Sequence, residues 1–519
     1  MSAAQPSVSR ASAPITYGIS DLCGAPANDP THFAPPGAFY SARLGGLADG
    51  TAYGYTVRCI DSTSDGLAAS GCASASGSLV APPAPGAFPV DFLAFMDMGE
   101  PDDAEAHAPG AGWVAKGVEA VLGGGGANGD AAPAYALHVG DLSYARGYAG
   151  VWERWMDLIE PISSRVPYMV GVGNHECNWP NGTAGAFRPP WSDYGVDSGG
   201  ECCVPAAARF AHMPGSAAGA AGDWARAGWG RAGLGSGGAA APRRAALAER
   251  AERAQGITSG GAAGVAAAAA SRPPYWYSFE HGGVHTFVLS TEHDWTAGSE
   301  QLAWLEADLA AVNRSATPWI VGAGHRPAYS SYDHLPGLGT QSMAAHLRKA
   351  LEPLLRKHSV DVMLYGHVHA YERSCPLANF ACVNVSSSSG GVGSAAENSA
   401  VLGTSSGLVD VSYVAGVGGS AAMRGAASAA EDSAGVVRLG GGTVHLVVGA
   451  GGHTLTSEVT VIEQPWSAAR LTHFGLGRLA CANATHARWR FYRVDEPLSM
   501  GEPHVADDVW LVRGAPDGR

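Results

Sequence analysis

Several short apolar runs in this chain each end at side chains that can bind a metal ion or transfer a proton. In chain order these side chains are Asp97, Asp141, Tyr144, Asn174, His175, His325, His367 and His369. Glycine flanks nearly all of them, and it allows the sharp turns by which two loops approach one centre. Oxygen and imidazole donors suit Fe, Zn or Mn without any thiolate. Seven of these eight side chains, with one carboxylate bridging, would form two adjacent metal sites. Two adjacent metal ions suit in-line displacement at phosphorus.

Each short motif has a structural interpretation when it is taken alone. Asp97-Met-Gly is typical of a turn, and a single Gly-His pair such as the one at His325 is weak evidence for a ligand. His367 and His369 would point to the same face of a strand, where alternate residues share one side. The eight side chains fall into five groups, one after each of five short apolar runs. The occurrence of all five groups, in this order and at strand ends, favours a metal centre.

The runs that precede these residues are those expected of buried strands that deliver a side chain to the edge of a sheet. They are Val90–Met96, Ala134–Val139, Tyr168–Val172, Trp319–Ala323 and Val360–Leu364. Helices are predicted at Trp113–Leu122, Gln301–Ala311 and Gln341–Lys357, and closing strands at Thr443–Val448, Arg488–Val494 and Val509–Val512. The pattern predicts an α/β fold with ligands at strand ends, where open sheets place their sites.

The set of motifs resembles the plant-type purple acid phosphatases, a branch of the calcineurin-like metallophosphoesterases. The resemblance covers about residues 88–210, 274–382 and 443–515, and its most specific element is Tyr144, three residues after Asp141. It implies a two-sheet β-sandwich flanked by helices, and a centre of Fe(III) with a second metal, Zn, Mn or Fe. The implied Fe(III) ligands are Asp97, Asp141, Tyr144 and His369. The implied ligands of the second metal are Asp141 as the bridge, Asn174, His325 and His367.

The resemblance also implies an acid phosphatase that hydrolyses phosphomonoesters, with a metal-bound hydroxide attacking phosphorus in line. A charged histidine would protonate the leaving alkoxide, so mildly acidic pH should favour the rate. The family pattern Tyr-Asn-His-His corresponds here to Tyr332-Asp333-His334-Leu335, and one histidine is missing. The acid is therefore assigned to His334, and His175 is the other candidate. A phosphodiesterase, a phytase and a non-enzymatic wall-associated protein are the alternative functions.

Other residues near these motifs have structural interpretations. Arg326 could contact phosphate or pair with a carboxylate, and we favour the pairing. His293 lies in a family-like stretch and is expected to be structural. Cys375 and Cys382 are hypothesised to close a small loop, which peptide mapping can test.

The composition limits the classes of molecule that the chain is expected to bind. The chain has 519 residues, a formal net charge of −14, 46% hydrophobic and 15% charged residues. The negative balance argues against nonspecific binding to nucleic acid or to an anionic membrane. No apolar run approaches the roughly 18 residues that cross a bilayer. The expected partners are phosphomonoester substrates, and the oligomeric state is left open.

Nine cysteines and four N-glycosylation sequons favour a secretory compartment. Residues 1–20 have no apolar segment typical of a signal peptide. The expected location is secreted or vacuolar, and one explanation of the conflict is that the given chain lacks its true N-terminus.

Two domains are predicted. Residues 1–86 resemble part of a fibronectin-like β-sandwich with a linker, on the basis of Asp21–Ala27 and the alternation of Tyr53, Tyr55 and Val57. Residues 87–515 are assigned to the catalytic domain. Low-complexity inserts are expected at about 215–271, with a short helix at Arg243–Arg253, and at about 385–435.

Overall fold

The structure is a computed structural model of the chain. It describes residues 7–8, 14–42, 44–57, 75–101, 108–124, 132–178, 186–189, 194–211, 213, 271–333, 340–379, 381–383, 423–424, 435–456, 460–461, 464–494 and 503–514. The two predicted inserts lie almost wholly outside these ranges, as do the helix predicted at Arg243–Arg253 and the candidate acid His334.

Two large sheets form the body of the protein. The nine-stranded sheet contains, in spatial order, Met423–Arg424, Ser467–Leu471, Tyr371–Ala378, Thr443–Val448, Val362–Tyr365, Trp319–Gly324, Val284–Val288 and Tyr277–His281, with Ala381–Cys382 paired to Tyr371–Ala378. The seven-stranded sheet contains Val436–Arg438, His504–Val512, His486–Arg493, Gly475–Cys481, Val90–Ala94, Tyr135–Val139 and Tyr168–Gly171. These strands include all eight of the catalytic-domain strands predicted from sequence, with small differences at their ends.

Alternate residues of each strand point to opposite sides of its sheet, so each sheet has one face that can be buried against the other. The two sheets pack face to face in this way. Phe92 and Leu137 of one sheet share a buried cluster with Val321 and Leu364 of the other. Their neighbours, such as Leu93, belong to a second buried cluster. That second cluster also contains the helix residues Val114, Trp152, Trp304 and Leu347. The predicted two-sheet sandwich flanked by helices is therefore confirmed.

The described helices are Ala111–Gly123, Ala149–Ser163, Asn174–Cys177, Val204–Arg209, Glu300–Ala311 and Thr340–Lys357, with a 3-10 turn at Ile19–Asp21. Three of them match the sequence predictions. Ala149–Ser163 was not predicted, although Trp152, Trp155, Ile159 and Ile162 are buried at helical spacing. In the described residues, no helix is both long and apolar enough to span a bilayer.

The parallel strands in each sheet bring their carboxyl ends to a common edge. Val90–Ala94, Tyr135–Val139 and Tyr168–Gly171 are parallel neighbours. In the other sheet, Val284–Val288, Trp319–Gly324, Val362–Tyr365 and Thr443–Val448 are parallel neighbours as well. The segments that follow these strands therefore meet where the two sheets adjoin.

The N-terminal region contains a hairpin in which Ala52–Val57 pairs antiparallel with Ala75–Val80. The strand predicted from Tyr53, Tyr55 and Val57 is thus confirmed, while the partial fibronectin-like β-sandwich stays a prediction. Upstream of this hairpin, Ile15 and Tyr17 pack in one cluster with Val204 and Ala208 of the helix Val204–Arg209.

Three disulfides link described cysteines. Cys375 pairs with Cys382, as hypothesised from sequence, and their Cα atoms are 5.6 Å apart. The adjacent Cys202 and Cys203 pair with Cys23 and Cys177, respectively. The first of these bonds ties the N-terminal segment to the segment that precedes the helix Val204–Arg209, and the second ties the short helix Asn174–Cys177 to that same segment.

Candidate metal centre

One group of candidate ligands converges around the phenol of Tyr144. Its oxygen donates to Oδ1 of Asp97 at 3.2 Å and lies 2.9 Å from Nε2 of His369. The same Nε2 is 3.5 Å from Oδ1 of Asp97. Asp97, Asp141 and His369 each offer an atom within 4.8 Å of the others. We call Asp97, Asp141, Tyr144 and His369 the first donor set.

A second group converges around the amide oxygen of Asn174. This oxygen lies 2.9 Å from both Nε2 of His325 and Nδ1 of His367. Nε2 of His325 is also 3.2 Å from Oδ2 of Asp141. We call Asp141, Asn174, His325 and His367 the second donor set. Asp141 is common to both sets, so the structure brings all seven predicted donors into two adjacent groups.

The backbone at four donors lies in the left-handed region that side chains other than glycine rarely adopt. The φ angles are 61° at Asp97, 50° at Asp141, 55° at Tyr144 and 68° at His367. Each such residue costs on the order of 1–3 kcal/mol, and such strain clusters at functional sites. Donors of both sets thus share this strained backbone conformation.

Glycine is required where the two ligand loops touch. A Cβ atom added to Gly140, whose φ is +91°, would lie 2.2 Å from Nδ1 of His325. A Cβ added to Gly173 would lie 2.3 Å from Oδ1 of Asp141. Neither side-chain position is sterically possible, so these glycines permit the close approach that the sequence predicts.

Further side chains orient the donors, and the sequence analysis did not identify them. The Asn174 amide nitrogen donates to Oδ2 of Asp197 at 3.1 Å, which turns its oxygen towards the two histidines. Glu176 accepts three backbone N–H bonds, from Asp141, Leu142 and Gly173, at 2.8–2.9 Å. This carboxylate therefore joins the two loops that follow adjacent strands.

The charges of the site call for a cation. Burial alone would lower the pKa of His325, but the carboxylates of Asp141 and Asp97 raise it to about 9. Burial, reinforced by Asp97 and Asp141, raises the pKa of Tyr144 well above 10. Loss of the Tyr144 proton thus needs a strongly Lewis-acidic ion beside it. Carboxylate, amide, phenol and imidazole donors fit Fe, Zn or Mn in both sets.

His175, one of the two candidate acids, lies beside the first donor set. Its ring centre is 4.3 Å from that of Tyr144, and its Nε2 is 3.9 Å from Oδ2 of Asp141. Burial lowers its pKa, although Asp141 and Asp197 act in the opposite direction. The side chain is 15% exposed, so part of it is in contact with solvent.

Arg326 and His293, which were expected to have structural roles, both contact other side chains of the protein. Arg326 donates through Nε and Nη2 to the two carboxylate oxygens of Glu292, at 2.8 and 3.3 Å. Its Nη1 lies 3.3 Å from Nε2 of His367. His293 is buried, with Nδ1 2.7 Å from the Ser290 hydroxyl. The pairing favoured for Arg326 is the arrangement found.

His453 is a site residue that the sequence analysis missed. Its ring stacks on Tyr144 with a centroid separation of 3.9 Å. It follows the strand Thr443–Val448 and comes directly after Gly451-Gly452, which is the pattern that identified the other site residues. The same rule applied to this strand would have found it.

Comparisons with known proteins agree with the fold described above. The family model described as calcineurin-like phosphoesterase matches residues 257–371. The model described as iron/zinc purple acid phosphatase-like protein C matches residues 442–501. The structure of a purple acid phosphatase from yellow lupin (Lupinus luteus) seeds has a TM-score of 0.66 and 25% identity, covering 96% of this chain and 66% of that one.

The names of two curated relatives differ in the activity that they state. "Probable inactive purple acid phosphatase 9" of Arabidopsis thaliana is 34% identical over 71% of this chain and 48% of its own length. A nucleotide pyrophosphatase/phosphodiesterase of Hordeum vulgare is 31% identical over 55% of this chain and 57% of its own length. The chain thus spans about half the length of these relatives. The family models, the relatives and the shared fold together show that the chain is similar to the purple acid phosphatases, within the calcineurin-like phosphoesterases.

Proposed function

We propose that this protein is an acid phosphatase that hydrolyses phosphomonoesters at a dinuclear metal centre. The observation that supports it is the pair of donor sets that share Asp141. The first set would hold Fe(III), because it contains the Tyr144 phenol, and the second would hold Zn, Mn or Fe. Two adjacent cations supply Lewis acidity and activate water for in-line attack at phosphorus.

The protein's own groups would orient the centre and move one proton. Asp197 and Glu176 hold Asn174 and the loop of Asp141 in place. The leaving alkoxide needs a proton, and His334 and His175 remain the candidates to supply it. Because burial lowers the pKa of His175, we favour His334 for this role. The acid works only in its charged form, so activity is present below its pKa and is lost above it.

The word "inactive" in the name of the Arabidopsis relative raises the alternative of a non-enzymatic protein. Such a protein is expected to have lost part of its metal set. All seven donors are present in this chain, and they converge. This observation favours an enzyme.

A second candidate activity is phosphodiester or phytate hydrolysis by the same centre. The barley relative is named a nucleotide pyrophosphatase/phosphodiesterase, which favours the diester alternative in particular. Turnover of an aryl phosphomonoester and of the matching bis-aryl diester by the metal-loaded protein decides between them. We expect the monoester to be hydrolysed faster at mildly acidic pH. Faster diester turnover would refute the assignment, and no turnover of either would support the non-enzymatic alternative.

We further propose a secreted or vacuolar location. Three disulfides in the described residues support an oxidising compartment. Two of the four sequons, at Asn313 and Asn483, lie in exposed turns where a glycan can attach. Treatment of the natively expressed protein with an N-glycosidase should reduce its mass; an unchanged mass would contradict this location.

A further inference from the structure

The loop Gly449–Thr456 follows the strand Thr443–Val448 and supplies none of the seven donors, yet it contacts several of them. Its backbone first reaches the segment that ends in Asp97. The N–H of Gly451 donates to the Met96 carbonyl at 2.9 Å, and that of His453 donates to the Asp97 carbonyl at 3.0 Å. The loop therefore holds the strained backbone of one donor.

The same loop also fixes His369 at three points. The Thr454 carbonyl accepts from Nδ1 at 2.7 Å, and the Thr456 hydroxyl accepts from the backbone N–H at 3.0 Å. The Thr456 N–H donates in return to the His369 carbonyl at 3.0 Å. A carbonyl can only accept, so Nδ1 holds the ring proton. The lone pair of Nε2 then faces Tyr144 and Asp97, as a metal-binding imidazole requires.

The side chain of His453 completes these contacts at Tyr144. The two rings are nearly parallel, at 22°, with their centres 3.9 Å apart. Nδ1 of His453 lies 3.2 Å from Nδ1 of His369. Its Nε2 lies 3.4 Å from Nη2 of Arg146. One ring thus packs on the face of one donor and touches the outer edge of another.

We propose that His453 is a positioning residue for the cation of the first donor set. Its ring restricts the Tyr144 phenol, and its loop restricts Asp97 and His369, so that the three donors stay directed at one point. The proposal rests on the proposed dinuclear centre, because it requires a cation at Tyr144. Loss of residues that orient metal ligands typically weakens metal binding by about 10- to 100-fold.

Two substitutions test the contacts of His453 in the full-length, iron- and zinc-loaded protein. His453→Ala removes the ring, whereas His453→Phe keeps a stacking ring and removes both nitrogens. A phenolate bound to Fe(III) absorbs visible light by ligand-to-metal charge transfer, so the visible band of the ferric protein reports Tyr144 ligation. The two readouts are this band and the iron and zinc retained during dialysis against a chelator. We expect His453→Ala to lose iron about tenfold faster and to shift or weaken the visible band, with zinc retained. His453→Phe should recover most of the iron retention.

The matched control is His281→Ala. His281 also packs on a tyrosine, with its ring centre 5.5 Å from that of Tyr135, at the start of the strand that leads to Asp141. This variant should retain iron and keep the wild-type spectrum. If His453→Ala does not fold, an unchanged band and normal iron retention in a folded variant with a different residue, His453→Gln, would overturn the proposal equally.

The outcomes separate this inference from the proposed function. A wild-type protein that retains neither iron nor zinc would refute both proposals. A wild-type ferric protein without a visible band would refute Tyr144 ligation, and with it the positioning role alone, since the proposed activity does not require the phenol. A normal wild-type band that is unchanged in the folded His453 variants would overturn the positioning role alone. A band displaced in His453→Ala and in the His281→Ala control alike would also overturn it, because the effect would then be a general loss of packing.

Discussion

The phenol oxygen of Tyr144 lies 2.9 Å from Nε2 of His369, although 225 residues separate the two in the chain. Tyr144 follows a strand of the seven-stranded sheet, and His369 lies between two strands of the nine-stranded sheet. The candidate centre is therefore built across the junction of the two sheets. Its donors come together only when the sheets are packed, so metal binding and packing of the sandwich should be coupled.

Tyr144→Phe should abolish the visible absorption of the ferric protein, because no other phenol is among the donors. Three donors of the first set remain, so we expect activity to fall by about tenfold or less, or about 1.4 kcal/mol in activation free energy. The measurements are the visible spectrum, the iron content and the rate on an aryl phosphate. A variant that keeps the wild-type band would show that Tyr144 is not an iron ligand.

Asp141→Asn should deplete both metals, because Asp141 belongs to both donor sets. A loss of about 10³-fold in rate is expected, since metal Lewis acidity contributes several kcal/mol. Metal analysis after gel filtration, together with the rate, measures the effect. The matched control is Asp308→Asn, which changes a buried carboxylate bonded instead to Ser278 and His285. Full activity of Asp141→Asn would reject the bridging role.

Glu176→Ala should destabilise the metal-free protein by at least about 3 kcal/mol. Three buried N–H groups lose their acceptor, and each unsatisfied group costs about 1–3 kcal/mol. Glu176→Gln, which retains one acceptor oxygen, should cost less. Urea unfolding in the presence of a chelator measures both variants. A cost below about 1 kcal/mol for the alanine variant would mean that water replaces the carboxylate.

The strands and the convergence of the donors could be predicted from sequence because both depend on local pattern. A short apolar run followed by glycine and a polar residue, as at Gly140-Asp141, indicates a buried strand with a side chain at its end. Parallel pairing then brings such ends together without any further information. The fold class followed from the same pattern.

The contacts that orient the donors could not be predicted in this way. Asp197 reaches Asn174, and His453 reaches Tyr144, through loops whose paths depend on the packing of distant elements. The pairing of Cys23 with Cys202 spans 179 residues and has no local pattern. Such contacts are consequences of the folded arrangement of the sheets.

His285 provides a pH-dependent test of the fold away from the metal centre. Burial alone would lower its pKa, but Asp308, 3.0 Å from Nε2, and Glu280, 3.8 Å from Nδ1, raise it. A folded-state pKa above the unfolded value of about 6.5 means that the charged form stabilises the fold. This stabilisation is fully present below about pH 6.5 and is lost as the pH rises through the folded-state pKa.

His285→Gln should therefore lower the free energy of unfolding most at about pH 5.5, by roughly 1.5–3 kcal/mol for a hydrogen bond to a charged group. The difference from wild type should shrink towards about pH 9, as the pH rises through the folded-state pKa of His285. Urea unfolding at the two pH values, with a chelator present, measures it. His486→Gln, which changes an exposed histidine next to Thr485, is the control. An equal cost of His285→Gln at both pH values would mean that its contacts act through packing, because loss of a charged pair requires the cost to fall as the histidine deprotonates.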